Sequence, residues 1–415
     1  MTRVCVVTST YSRHSSDFAV PWMRESIKRL IDAGDDVTIF APSFKGLVSH
    51  SIDGVRVVRF RYFLAKWEVL THNEGAPAKI SNPLLQLLAI PYTLFGMLAM
   101  RSLIHKQDFD VIHVHWPFPH AFFAWAIKRM SSAAVVGNCH GAELAIGRRK
   151  AWVRRVLRWN LNQADQLIAN SNHTAEEIYK VCGRKAHVIP FGTTVDLQPL
   201  VERNNPIPVI LFTGRHIQRK GIEYLIQAIP ILLRNRSVQL VITGDGDQRA
   251  MLEELTSKLC LEDSVEFKGF VSPDELSALY SSCDVYVLPS VFDDRGDAEG
   301  LGVTSIEAFL NECPVVATDV GGIVDVVHHE KTGLLVPEKN PEAIAAAVTR
   351  FLEDQDFAKQ MGRAGREFAQ EHFDWDRITD QIQDVYRLAR GLPLPTRAAD
   401  LNVQTRTARN EKNGL

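Results

Sequence analysis

Cysteine is scarce and scattered in this chain of 415 residues. Cys5, Cys139, Cys182, Cys260, Cys283 and Cys313 include no Cys-x-x-Cys pair. That spacing excludes a disulfide-stapled scaffold and a cysteine-built zinc site, and it marks the six as reduced core residues. Long apolar runs are equally wanting. The one stretch that approaches membrane length, Pro83 to Met100, contains Gln86 and is broken by Pro91. A straight span of about 20 apolar residues is therefore excluded, and a core helix pair or a segment dipping into a bilayer surface is expected. No internal repeat is visible. The net charge is only -2, and no nucleic-acid partner is expected. Met1-Thr2-Arg3 before an apolar strand is too short for a signal peptide, so a cytosolic compartment is expected.

The near-neutral total hides an asymmetry. Residues 1–200 carry 24 Lys/Arg against 15 Asp/Glu, a net of +9, while the remainder carries 23 against 34, a net of −11. A basic first half implies an anionic partner or surface on that side.

Strand and helix patterns alternate from the start. Val4–Thr8, Val37–Ala41, Val111–His115, Val135–Asn138, Leu167–Ala169 and His187–Ile189 read as short buried strands, with a helix from about Ala19 closed by Gly34. Pro190, Pro199, Pro206 and Pro208 mark a linker. The alternation then restarts with strands at Val209–Thr213, Gln239–Thr243, Val265–Lys268, Val285–Leu288, Val315–Ala317 and Gly333–Val336. Two doubly wound parallel sheets, α/β and Rossmann-like, are expected over residues 1–195 and 196–375. The chain after Gly391 is rich in Pro, Arg, Thr, Asn and Asp, and 391–415 is expected to be a disordered tail.

Glu299 and Glu307 stand seven residues apart in Ala298-Glu299-Gly300-Leu301-Gly302-Val303-Thr304-Ser305-Ile306-Glu307, just after the strand at Val285–Leu288. A strand, a Gly-rich turn and a helix put both carboxylates at the carboxyl edge of a parallel sheet, where ligands of such sheets bind. The turn also aims N–H groups and a positive helix end at one point. This suits a phosphate flanked by hydroxyls, as in a nucleotide sugar; a capped surface helix with a solvated Glu is the plainer alternative. Upstream, Gly214-Arg215-His216-Ile217-Gln218-Arg219-Lys220-Gly221 follows another strand. Two cations five residues apart can close on one diphosphate, Arg215 by its planar fork and Lys220 as a mobile point charge.

With these segments in place, the chain resembles the retaining glycosyltransferases of family 4, from about Arg3 to about Leu388. Val188-Ile189-Pro190-Phe191-Gly192, Gly244-Asp245-Gly246, Pro289-Ser290 and Gly321-Gly322 fall in the family's order. The resemblance implies the GT-B architecture: two Rossmann-like domains facing a cleft, the first for acceptor and the second for the nucleotide-sugar donor. It also implies a final helix, 376–390, crossing back to the first domain. No tightly bound cofactor or metal is implied, only a UDP- or GDP-hexose co-substrate. His140 would contact the transferred sugar and the leaving diphosphate, Glu299 the sugar hydroxyls and Glu307 the ribose. Gly214, Arg215, Lys220, Gly300, Leu301 and Gly302 would hold the diphosphate, and Phe270 and Val271 would lie near the base. The family often has Gly-Gly in its first loop, where this chain has Ser15-Ser16; Ser16 and Asp17 are carried to the donor and acceptor sides, respectively. His113 and His115, at i and i+2, lack a third metal ligand at a persuasive spacing, so a packed or acceptor-lining role is expected, with His115 and Trp116 on the acceptor side. Asp293 and Asp294 read as loop carboxylates.

Three rival functions remain open. Gly244-Asp245-Gly246-Asp247-Gln248-Arg249 is a partial dinucleotide fingerprint with Arg where the third Gly belongs, so an NAD-dependent oxidoreductase is one. A nucleotide-sugar epimerase of the same fold and a non-catalytic sugar-binding protein are the others. The acceptor reading comes from Gly147–Asn160. There Lys150, Arg154 and Arg158 form one helical row, and Trp152, Val156 and Trp159 another. A basic face beside an aromatic face suits a helix in a headgroup region, where each basic residue contributes about 1 kcal/mol near an anionic surface. A lipid-linked or membrane-surface saccharide is therefore the expected acceptor, with the protein peripheral at the inner face of the membrane. The alternative is an ordinary helix with Trp152 and Trp159 in the core.

Overall fold

Runs of Val, Ile and Leu buried on both faces form two central sheets. The computed structural model describes residues 1–17, 20–71, 87–128, 130–194 and 203–395, apart from the side chains of 124–127. The first sheet contains β1 (Arg3–Val7), β2 (Asp36–Pro42), β3 (His50–Ile52), β4 (Val55–Phe60), β5 (Val111–His115), β6 (Ala134–Cys139), β7 (Gln166–Ala169) and β8 (His187–Val188). Their order is β3-β4-β2-β1-β5-β6-β7-β8. The second holds β9 (Val209–Thr213), β10 (Gln239–Thr243), β11 (Val265–Gly269), β12 (Val285–Leu288), β13 (Val315–Thr318) and β14 (Leu334–Val336) in the order β11-β10-β9-β12-β13-β14, with every pairing parallel. Strand order reverses between β1 and β5 and between β9 and β12. The loops leaving these strands splay apart there and leave a crevice.

The helices of the first half are α1 (Pro21–Asp32), α2 (Ala89–Ile104), α3 (Pro117–Lys128), α4 (Ala142–Arg149), α5 (Ala151–Gln163) and α6 (Asn172–Cys182). Those of the second are α7 (Ile222–Leu233), α8 (Arg249–Lys258), α9 (Pro273–Ser282), α10 (Val303–Leu310), α11 (Pro341–Glu353), α12 (Gln355–His372) and α13 (Trp375–Ala389). The last helix returns to the first sheet. Its apolar row Trp375, Ile378, Ile382 and Val385 joins the core formed by Val4, Val6, Ile27 and Ile39. Trp375 Nε1 donates to the Thr193 carbonyl at 2.7 Å, and Tyr386 Oη meets His113 Nδ1 at 2.8 Å. The expected boundary near 195 and the tail beyond 395 lie outside the described residues.

Four expectations need correction. The first sheet is not wholly parallel, because β3 pairs antiparallel with β4 through a hairpin whose Asp53 and Gly54 both have positive φ, 52° and 80°. An Asp-Gly pair is what a two-residue hairpin turn of that handedness requires. Pro91 does not break its helix. It is the third residue of α2, where the N–H has no intrahelical acceptor in any case. Gly147–Asn160 is not one helix: Lys150 is extended, at φ −124° and ψ 105°, between α4 and α5, so it leaves the row of Arg154 and Arg158. Finally, Cys260 is exposed at a turn and Cys182 half-buried, while the other four cysteines are buried.

Candidate active site

The loop after β9 tightens into a short 3-10 turn, Gln218–Lys220, and Gly221 reverses it at φ 62° to start α7. This brings Lys220 inward. Its Nζ donates to Glu299 Oε2 at 2.6 Å, from the loop after β12. Arg219 approaches the same carboxylate at 3.6 Å and donates to the Ala298 carbonyl at 2.9 Å. Burial alone would raise the Glu299 carboxyl, but Lys220 and Arg219 outweigh it and hold the group at about 2. Arg215 is exposed at the start of the same loop, and its guanidinium makes no hydrogen bond or ion pair among the described residues. Two cations and a pinned carboxylate thus converge beside the second sheet's crevice.

Glu307 lies on α10. Its Oε2 accepts from Tyr280 Oη at 2.7 Å, and Tyr280 Oη in turn meets Thr213 Oγ1, at the end of β9, at 2.7 Å. Burial pushes the Glu307 carboxyl up to about 7, against the smaller opposing pull of the Tyr280 hydroxyl and the Lys220 ammonium. Gly302, at φ 85°, caps the start of α10. The glycines upstream serve close approach. A Cβ on Gly244 would lie 2.1 Å from the Gly214 carbonyl oxygen, and one on Gly246 2.3 Å from that of His216. The loops after β9 and β10 are clasped together, which explains Gly244-Asp245-Gly246 without a dinucleotide.

The opposite wall comes from the first sheet. A Cβ on Gly300 would lie 3.0 Å from Asn170 Nδ2 and 3.3 Å from the His140 carbonyl oxygen, so the Glu299 loop faces the His140 loop. Arg148 bonds the Gly296 carbonyl, and Asn172 bonds Asp325, across the same gap. His140 Nε2 meets His115 Nδ1 at 2.9 Å, while its Nδ1 is buried with no partner among the described residues. Burial draws the His140 imidazole down to about 3, so it is neutral near pH 7. Aromatic rings enclose it. Trp116 lies 4.6 Å away, Trp22 5.3 Å and Phe191 5.4 Å, and Trp22 stacks on Phe191 at 4.2 Å. Trp116 adopts φ 51°, a conformation costly for a bulky side chain and common at ligand sites.

The expected residues therefore fall into groups. Arg215, Lys220, Gly214, Glu299, Gly300, Leu301, Gly302 and Glu307 gather on one wall, and His115, Trp116 and His140 on the other. Asp17 and Ser16 do not join them. Both Asp17 carboxylate oxygens bond Arg13, and Ser16 Oγ bonds His14 Nδ1, so the loop is closed on itself. Phe270, 83% exposed, and Val271 follow edge strand β11, two strands from β9. Trp152 and Trp159 are 60% and 37% exposed, and Arg154, Arg158 and Lys150 are exposed too; Val153, Leu157 and Leu161 supply that helix's core face instead. Trp22, Phe191 as a stacking partner, Arg219 and Tyr280 join the site without being expected from the sequence motifs. Only Trp22 carried a signal, an aromatic beside Pro21 at the start of the helix that follows the β1 loop.

Comparison with known proteins agrees with this architecture. The model for Glycosyltransferase Family 4 matches residues 22–197, and that for Glycosyl transferases group 1 matches residues 199–368. An uncharacterised glycosyltransferase of Methanocaldococcus jannaschii is 40% identical over 312 residues, covering 69% of this chain and 77% of that protein. A GDP-mannose-dependent alpha-(1-6)-phosphatidylinositol monomannoside mannosyltransferase of Mycobacterium tuberculosis is 27% identical over 402 residues, 93% of this chain and 98% of that one. Among solved structures, sucrose-phosphate synthase from Thermosynechococcus elongatus superposes with a TM-score of 0.75 at 24% identity, over 93% of this chain and 98% of that one. HepE of Anabaena, solved with UDP and glucose, superposes at 0.69 and 18% identity over 93% and 99%. Two α/β domains with a mostly parallel and a parallel sheet, both families matched in order along the chain, make this protein a family 4 glycosyltransferase of GT-B architecture.

Proposed function

We propose that the protein transfers a hexose from a UDP- or GDP-linked sugar to a hydroxyl of a lipid-linked or membrane-surface saccharide, with retention of anomeric configuration. The observation that carries this reading is the buried Lys220–Glu299 pair beside the unpartnered Arg215, at the crevice between β9 and β12. Residues 196–375 would bind the donor and residues 1–195 the acceptor. Arg215, Lys220 and the N–H groups of Leu301 and Gly302 meet the charge that builds on the departing diphosphate, where preorganised donors contribute most. Glu307 accepts from the ribose hydroxyls, Glu299 from the sugar, and His140 Nδ1 bonds the sugar from the other wall. In a retaining transfer the acceptor oxygen enters on the face that the diphosphate leaves. The bond from the anomeric carbon to the acceptor forms as the bond to the diphosphate breaks, and a phosphate oxygen takes the acceptor's proton. One relative is a GDP-mannose-dependent enzyme and one structural neighbour was solved with UDP, so both bases stay in the proposal. The same relative's phosphatidylinositol mannoside acceptor favours a lipid-linked saccharide.

Proton NMR of the product tests the stereochemistry: an α-linked donor should yield an α-linked product. A β-linked product would overturn retention, and donor consumption without acceptor, giving an isomerised nucleotide sugar, would favour the epimerase.

A pH dependence follows from Glu307. Its folded value, about 7, lies above its ordinary 4.5. Its contribution to stability is thus complete below the lower value and lost as pH rises through the higher one. Ribose hydroxyls need the ionised carboxylate, so affinity for an intact nucleotide sugar should move oppositely and rise between about pH 6 and pH 8. Burial also pushes Glu143 to about 7, so the decisive comparison is with Glu307→Gln, whose titration profile should be flatter. Superimposable profiles would remove Glu307 from the ribose.

A further inference from the structure

Loops that follow a sheet edge ordinarily turn polar side chains to water, yet residues 61–67 present Phe63, Leu64 (62% exposed) and Trp67. The display is built, not frayed. The fully buried Glu68 carboxylate accepts from Ser43 Oγ at 2.7 Å, the Gly46 N–H at 3.0 Å, Arg61 Nε at 2.6 Å and the Tyr62 N–H at 3.1 Å. The Tyr62 hydroxyl accepts from the Leu70 N–H at 3.1 Å. A keystone anion therefore fixes a short loop with its apolar side chains outward.

The neighbouring helix has the same peculiarity. α2 buries Tyr92, Gly96, Met100 and Leu103, and a Cβ on Gly96 would lie 2.3 Å from the Phe123 ring, so its rotation is fixed against α3. The opposite row is apolar as well: Leu87, Ile90 (68% exposed), Leu94 and Leu98, with Phe95 beside them. Tyr62 and Tyr92, both buried and 5.2 Å apart, pack the loop against the inner face of the helix. Phe118 against Trp152 at 6.1 Å, and Phe122 against Trp159 at 5.6 Å, carry aromatic contacts from α3 to α5 with its Arg154 and Arg158.

Charge selects the partner. Residues 87–107 contain no Asp or Glu, and Lys45, Lys66, Arg101 and Lys106 are exposed around the apolar row. An apolar helix face without acidic residues among the described positions 87–107, and with exposed cations on the same helix and on the neighbouring loops, fits an anionic lipid surface better than another protein. No described helix is long and apolar enough to cross a membrane, and α2, half-buried along its length, would lie on one. The buried face of the same helix is linked to the cleft through the core. Tyr92 Oη bonds His120 Nε2 at 2.8 Å, His120 Nδ1 donates to the His115 carbonyl at 3.1 Å, and His115 bonds His140.

We propose that the outer face of α2 and the 61–67 loop seat the protein on an anionic bilayer, with the α5 cations as a second contact, so that a lipid-anchored acceptor presents its saccharide at the His115–His140 wall. This rests on the lipid-acceptor reading above. Sedimentation with vesicles of phosphatidylcholine alone, and of phosphatidylcholine with equimolar phosphatidylglycerol, tests it. The wild type should pellet with the anionic vesicles at low salt. Ile90→Glu with Leu94→Glu, and separately Leu64→Glu with Trp67→Glu, should each weaken binding by about tenfold or more, since each buries charge where apolar contact was. Thermal stabilisation by nucleotide should be unchanged in both, which shows that they fold and keeps the test apart from the donor site. A wild type that stays in the supernatant, or vesicle binding that survives both pairs of changes, overturns the proposal while leaving the transferase reading intact. A wild-type dimer that Ile90→Glu with Leu94→Glu dissolves, with no vesicle binding, would assign the face to a second copy and overturn it too.

Discussion

Lys220→Ala should lower kcat/KM for glycosyl transfer by roughly 100-fold or more, the expected cost of removing a preorganised charge from the departing diphosphate. The loss should appear in both KM and kcat, because the ammonium holds the diphosphate in the ground state and the charge on the bridging oxygen grows toward the transition state. Two structural facts sharpen the expectation. Lys220 is buried with its ammonium on Glu299 at 2.6 Å, so the change also strips a carboxylate held at about 2 of its nearest cation. Arg219, at 3.6 Å, stays to compensate in part. The variant should therefore fold, with a lowered Tm, and fail at chemistry. Steady-state kinetics beside a thermal melt separate the two effects, and a folded Lys220→Ala enzyme with wild-type kcat would remove Lys220 from the reaction.

Gly221→Ala should be the most damaging single methyl group in the donor loop. A Cβ there would lie 2.0 Å from the Pro289 carbonyl oxygen and 3.0 Å from Val291 Cγ1, at a backbone φ of 62°. Neither strand end can retreat easily, because the Val291 N–H already donates to the Arg219 carbonyl at 2.9 Å. We expect a destabilisation of about 3 kcal/mol or more in urea titration, and a fall in kcat/KM beyond what the unfolded fraction explains. Gly269→Ala is the control: its φ is 69°, but nothing lies within 4 Å of the added Cβ. It should cost only the left-handed penalty, about 1–2 kcal/mol. Equal costs for the two would show that the close approach of the β9 and β12 loops does not constrain Gly221.

These contrasts show what the chain reveals locally and what it conceals. Val209–Thr213, Val285–Leu288 and Val111–His115 coincide with the strands β9, β12 and β5, because an apolar run between turn residues leaves one reading. The hairpin at Asp53-Gly54 is equally legible, since an Asp-Gly pair between two apolar runs marks a two-residue turn. The break at Lys150 is not, since the nearest Gly, Gly147, lies inside α4 and the tertiary packing of α4 on α5 decides where the helix ends. Arg215 and Lys220 stood out by type and spacing. That Arg219 would reach Glu299 as well depends on the 3-10 turn, which a spacing argument cannot resolve. Pairings between distant segments, such as Gly300 against His140 or Trp22 on Phe191, leave no local trace at all.

The central claim is that the wall formed by Arg215, Lys220 and Glu307 holds a nucleoside diphosphate. Thermal shift against UDP, GDP and ADP tests it most directly, because a ligand that binds only the folded state raises Tm by mass action. One base should stabilise the wild type clearly above the other two, and Arg215→Ala and Lys220→Ala should each largely abolish that shift. No shift with any of the three, or a shift that survives both substitutions, would contradict the account.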